Sequence, residues 1–168
     1  MRLRTRSIGS VAAAIALILG AGGCGSRNVD IARALQVSDV TSGWFDAGIV
    51  EGGKNKLVPS ISFRLKNAFD REIASVQLFA KFSRVGETEE WGTPPYIRAI
   101  GPEGLAPGAS TQPIVLRSNL GYKGEQPRAV MLRNRSFVDA RVELYAKYRS
   151  NNWAKLGEYQ VARQLLTK

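Results

Sequence analysis

The residues that could do chemistry in this chain are few. Cys24 carries the one thiol, and the residues before it follow a fixed order: Arg2, Arg4 and Arg6, an apolar run from Val11 to Leu19, then Ala21-Gly22-Gly23-Cys24. A cationic start stays on the cytoplasmic side while a short apolar helix enters the translocon. Small residues ahead of the cysteine let a peptidase close on extended backbone. A lone cysteine also rules out an internal disulfide and a metal site built on cysteine pairs. The chain has no histidine, so the commonest general base is missing. No serine sits in a glycine-flanked nucleophile elbow. Glu87, Glu89 and Glu90 lack the Asp-rich spacing of a calcium loop and read as a solvated hairpin tip. The glycines of 20–25 and Gly52-Gly53 are not followed by the lysine and hydroxyl residue of a phosphate loop. The residues thus point away from catalysis, and no cofactor is expected.

The segment ending at Cys24 resembles the lipobox of bacterial lipoproteins, with Ala21 standing where that motif most often has leucine. The resemblance implies that the thiol receives a diacylglycerol, that residues 1–23 are removed as a signal peptide, and that the new amino terminus is acylated with a fatty acid such as palmitate. It also removes the only cysteine nucleophile. The competing reading is a transmembrane anchor, since Ser7 to Ser26 carries no charge. A spanning helix needs about 20 mostly apolar residues, however, and the strongly apolar stretch is much shorter. Gly25 and Ser26 follow the cysteine where lipoproteins of the inner membrane often carry aspartate. In an organism with two membranes this implies the outer membrane, facing the periplasm. Residues 24–33 read as a lipidated start and short tether, and 34–168 as one domain of ordinary size.

Two groups of side chains are candidate recognition surfaces. The chain holds 24 Lys and Arg against 14 Asp and Glu, for a net charge of +10, three units of which belong to the signal arginines. From Arg117 to Arg149 there are eight basic residues against three acidic ones. Among them Arg117, Arg128, Arg133 and Arg135 are candidates for an anionic partner, because guanidinium groups pair bidentately with phosphate or carboxylate. Export makes anionic lipid, a cell-wall polymer or an acidic envelope protein the expected partner rather than nucleic acid. The alternative is that these charges only keep the surface soluble. The second group is Trp44, Phe45 and Trp91, placed beside glycines where loops are expected. Exposed, they form a contact surface; buried, they cap the core, as aromatics commonly do.

The elements that must position these groups read as strands. Ile61, Phe63 and Leu65 alternate with Ser62, Arg64 and Lys66, and Val76, Leu78, Ala80 and Phe82 repeat that period of two. Asn67-Ala68-Phe69-Asp70-Arg71 supplies turn chemistry, so these two strands are expected to pair antiparallel. The clearest strand places Val138, Ala140, Val142, Leu144, Ala146 and Tyr148 on one face and Asp139, Arg141, Glu143, Tyr145 and Lys147 on the other. Asn151-Asn152 then turns the chain back through Trp153 to Leu166. Ala34 to Thr41 and Gln112 to Ser118 read as weaker strands. Leu105-Ala106-Pro107-Gly108-Ala109 fits a turn. Pro94-Pro95 and Pro102 assign 91–104 to an edge or loop.

Six or seven short strands in one domain predict a β-sandwich. Phe63-Arg64-Leu65-Lys66-Asn67, Ile73 to Phe82 and Leu105-Ala106-Pro107-Gly108 resemble the immunoglobulin-like domains of extracytoplasmic bacterial proteins, such as the FxLYD-type and water-stress-type sandwiches. That resemblance implies an all-β, immunoglobulin-like fold with a binding or accessory role and carries over no catalytic residue. A lipid or apolar-ligand carrier of an envelope transport system is the other function compatible with such a sandwich. An enclosed apolar cavity would favour the carrier; a filled core with an exposed aromatic or basic patch would favour the binding module.

Overall fold

Two sheets face one another across a core built from alternating strand residues. A computed structural model describes residues 29–166, and the segment ending at Cys24 lies outside the described residues. A single helical turn, α1 (Ile31–Ala34), leads into β1 (Leu35–Val50), β2 (Lys54–Asn67), β3 (Val76–Arg84), β4 (Glu90–Gly92), β5 (Ile97–Ile100), β6 (Ile114–Arg117) and β7 (Tyr122–Gly124). A short helix, α2 (Arg128–Arg133), precedes β8 (Ala140–Tyr148), β9 (Ala154–Gln160) and β10 (Leu165–Leu166). The first sheet has the order β10-β1-β2-β6, with β7 also on β2; the second has the order β4-β3-β8-β9, with β5 also on β3. The expected immunoglobulin-like all-β sandwich is therefore present, with ten strands among the described residues rather than about seven. The surplus comes from edges split into short tandem pieces, β6 and β7 along β2 and β4 and β5 along β3. Pro94-Pro95 falls in the break between β4 and β5, where no ladder donor is needed.

The period of two is realised as read. Ile61, Phe63 and Leu65 of β2, Val76, Leu78, Ala80 and Phe82 of β3, and Ala140, Val142, Leu144 and Ala146 of β8 are all buried in one cluster. Burying a side chain of this size removes about 1.5–3 kcal/mol of apolar exposure, which decides the facing of each strand.

Several local expectations are corrected. β2 and β3 do not form a hairpin: β2 belongs to the first sheet and β3 to the second. The Asn67 side chain directs that crossing. Fully buried, it donates to the carbonyls of Arg71 and Leu105, each at 2.8 Å, and accepts from the Phe69 N–H at 2.9 Å. The turn chemistry was real, but it turns the chain between layers. The strand expected at 34–41 runs on to Val50, through an irregularity between Ser38 and Thr41 where Asp39 has φ of 51°. That bulge resets the alternation and hides the strand from a period-two reading. Trp44 and Phe45 therefore sit inside a strand, not a loop. β8 begins at Ala140; Val138 is exposed. The return after Asn152 is two strands in different sheets, β9 and β10. The folded part starts before residue 34, since Ile31 is buried beneath the sandwich end.

The two ends of the sandwich differ. At one, which we call the entry end, Val29 and Asp30 share a depression with the β8–β9 turn at Ser150, Asn151 and Asn152. At the other, the far end, lie α2 and the segment leading into β8. The nine residues of β8 separate the two ends by roughly 27 Å.

Candidate functional site

At the far end, four aromatic rings from separate elements meet. Trp44 of β1 is fully buried, and its ring centroid lies 4.5 Å from Phe137, 5.6 Å from Tyr122 of β7 and 6.0 Å from Trp91 of β4. Tyr122 lies 4.5 Å from Phe137 and 4.9 Å from Trp91. Trp44 is held inward by strand alternation, since its neighbour across the ladder, Pro59, is also buried. The Tyr122 hydroxyl accepts from the Val138 N–H and donates to the Val138 carbonyl, both at 3.2 Å. This double bond to one residue fixes the ring and the segment before β8 together. Arg84 places its guanidinium 4.8 Å from the Trp91 centroid, and Arg163 places its own 5.3 Å from Phe137.

Tyr122, Phe137 and Met131 line an open cleft of about 430 Å³. Lys54, Lys123, Glu125, Gln126, Asn134 and Ser136 supply its polar lining. Asn55 Nδ2 donates to the Gln126 carbonyl at 2.9 Å, tying the 125–127 link to β2. Three apolar side chains set among six polar or charged ones make a mixed surface, which offers a ligand or peptide both contact area and groups that fix its orientation.

Of the candidate arginines, three gather here and one does not. Arg128 opens α2 and pairs with Asp46 of β1, Nε to Oδ2 at 2.5 Å. Arg133 closes α2 and lines a depression of about 500 Å³ together with Arg163, Ala129, Leu132 and Leu165. Arg135 is exposed in the link to β8. Arg117 lies on β6, and its guanidinium covers the Phe45 ring at 3.6 Å. Of the candidate aromatics, Trp44 and Trp91 come together, whereas Phe45 follows Trp44 along the strand and faces the other way. Trp44 is fully buried and Trp91 partly so, which places both mainly in the packing beneath the cleft.

A second aromatic surface went unread in the sequence. On the outer face of the second sheet, Phe79 stacks on its ladder partner Tyr145 at 4.9 Å and 7°. Trp153 meets Phe79 edge-on at 4.7 Å, and Tyr96 lies 6.4 Å from Trp153. Phe79, Tyr96 and Trp153 line an open groove of about 430 Å³ with Thr93, Pro94 and Pro95. The available signal was phase: Phe79 and Tyr145 occupy outward positions of strands whose inward positions are already apolar.

Charge on that sheet face is divided. Toward the far end, Lys155 Nζ donates to Glu143 at 2.5 Å and to Glu158 at 2.7 Å, and Arg141 lies 3.5 Å from Glu158. These bonds hold the Lys155 ammonium above its usual range, the Glu143 hydrogen bond most of all, and hold the Glu158 carboxyl below its own, chiefly through Lys155. Burial pushes the Tyr159 phenol up. Arg163 is held up by its hydrogen bond to Asp139. Among the described residues, no three His, Cys, Asp or Glu side chains gather into a metal-binding group. No protein-family model matches the chain, and a search among curated proteins finds no match.

Proposed function

We propose that the chain is a non-enzymatic binding module of the bacterial cell envelope, a lipoprotein held at a membrane by acylated Cys24 and presenting its far end to a partner. In an organism with two membranes that membrane is the outer one, with the domain facing the periplasm. The observation that carries the reading is the aromatic-lined cleft at the end of the sandwich remote from Val29. A tether entering at one end presents the other. Lys54 and Lys123 on the cleft, with Arg133 and Arg135 beside it, suit an anionic partner such as an acidic protein segment or a cell-wall polymer. The space between the sheets is occupied by buried side chains, and the depressions beside Phe137, Arg133 and Trp153 open to solvent. That distribution favours a binding module over a lipid carrier, which needs an enclosed apolar chamber.

The test has two readouts. Intact-mass analysis of the native protein should give a chain that begins at Cys24 and bears lipid. A photo-crosslinking residue placed at Lys123 or Ser136 in living cells should capture one defined species, while the same residue at Thr41, exposed on β1, should not. Absence of lipid removes the anchoring, and equal capture from both positions removes the cleft as the binding site.

A further inference from the structure

The entry end carries a second surface that the proposed partner site leaves unused. The chain between Cys24 and Val29 is only five peptide steps, a reach of at most about 18 Å when fully extended. Val29 shares an open depression with the 150–152 turn. Arg149 and Trp153 flank that turn directly, so whatever they contact lies close to the acyl chains that Cys24 would bear.

The chemistry of the surrounding face is consistent along its rows. Gln77 of β3 is opposite Lys147 of β8 and Arg98 of β5. Lys147 lies 5.9 Å over the Trp153 ring. Arg98, Lys147 and Arg149 have no carboxylate within salt-bridge distance among the described residues, while the strand carboxylates Glu143 and Glu158, nearer the far end, are already paired with Lys155. The other acidic groups at the entry end sit outside the strands: Asp30, beside the 150–152 turn, pairs with Arg33, and Asp70, Glu72 and Glu103 lie in loops. Trp153 is 38% exposed and Tyr96 63% exposed, and neither packs against the core. Tryptophan and tyrosine with adjoining lysine and arginine make the composition of a membrane-interface belt, with rings at headgroup depth and cations on lipid phosphates.

We infer that the outer face of the second sheet, at its entry end, docks on the anionic headgroup surface of the membrane that holds the Cys24 lipid, through Arg98, Lys147, Arg149, Trp153 and Tyr96. The inference rests on the proposed lipidation. Each basic residue near an anionic surface strengthens association roughly fivefold, and the tether supplies the high effective concentration that lets so small a patch act. Docking orients the sandwich, so that the cleft at the far end points away from the bilayer.

The lipidated chain can be tested directly because its only native thiol is acylated, which leaves an introduced cysteine as a unique labelling site. Asn152→Cys and Ser136→Cys proteins, each carrying a fluorophore, are reconstituted in vesicles of phosphatidylcholine with phosphatidylglycerol that contain a headgroup-attached quencher. The label at 152 should be quenched strongly and the label at 136 weakly. The difference should shrink in pure phosphatidylcholine, in high salt, and in the Arg98→Gln, Lys147→Gln, Arg149→Gln triple variant, whose docking equilibrium constant should fall by on the order of a hundredfold. A thermal melt of the triple variant checks that it is folded. Equal quenching at 152 and 136 in protein of verified lipidated mass overturns docking and leaves the anchoring intact. A native mass without lipid overturns both.

Discussion

The guanidinium of Arg117 lies 3.6 Å from the ring centroid of Phe45, joining a candidate cation to a candidate aromatic across the first sheet. The two residues satisfy one another on neighbours of β2: Phe45 is opposite Val58 and Arg117 opposite Ser60, both buried. Arg117→Ala is expected to cost about 0.5–1 kcal/mol of stability, the value of such a contact at a surface. Binding to an anionic partner should be unchanged. Denaturant melts and a binding titration of the same variant measure both.

Asn67 has a larger role than its size suggests. Asn67→Ala leaves the Arg71 carbonyl and the Phe69 N–H without their buried partner and takes one donor from the Leu105 carbonyl, which still accepts from the Ile73 N–H; it should cost on the order of 2–4 kcal/mol. Asn67→Asp should also destabilise, because a carboxylate keeps the acceptor but loses the donor to both carbonyls. Equal stability of Asn67→Asp and the native protein in chemical denaturation would refute this account of the crossing between sheets.

Facing on the strands predicts a contrast. Phe63→Ala or Leu144→Ala, both fully buried, should lose on the order of 2–5 kcal/mol through lost burial and the cavity left behind. Lys66→Ala on the exposed face of β2 should change stability by about 0.5 kcal/mol or less. Arg64 is not a neutral control, because it donates to the Thr111 carbonyl at 2.8 Å.

Close approach at one glycine gives a sharper test. A Cβ on Gly121 would overlap the Leu57 carbonyl oxygen, beside the point where β7 pairs with β2. Gly121→Ala should detach β7, which carries Tyr122, and so open the cleft. Loss of near-ultraviolet aromatic signal with strand content retained is the expected spectroscopic result.

Acid should weaken the Lys155 network. Glu158 is held below its ordinary pKa of 4.5, so its contribution to stability is present above that value and is lost as pH falls through the lower folded one. Lys155 has the opposite sign: its contribution is present below its ordinary 10.5 and is lost only in strong alkali. Both groups face solvent, so the effect is small and should shrink further with salt. Melting temperature against pH should fall less steeply below 4.5 for Glu158→Gln than for the native chain.

The sandwich was legible because burial imposes a local rule, one face of each strand. Leu65 and Leu144 announce their facing within a few residues. What stayed hidden depended on distant partners. Asn67 reads as a turn residue, but only Leu105, across the fold, makes it a crossing between sheets. Trp44 looked like a loop residue because the bulge at 38–41 breaks the alternation ahead of it. The cleft draws on β2, β7, α2 and the segment before β8, so no spacing along the chain reveals it. Phe79 and Tyr145 meet only through the register of β3 with β8.

The closure of β1 by the last strand sets the timing of folding. The Trp44 N–H donates to the Gln164 carbonyl at 2.8 Å, and Gln164 Nε2 donates to the Ser42 carbonyl at 2.7 Å, across 122 residues of chain. During synthesis from the amino terminus, this edge of β1 emerges early and waits for nearly the whole domain before its partner arrives. Such non-local pairing slows folding toward milliseconds or seconds, and an unpaired edge in that interval is a template for other chains. The two-residue β10 thus covers the edge of β1 at Trp44 and Phe45 only when the domain is nearly complete.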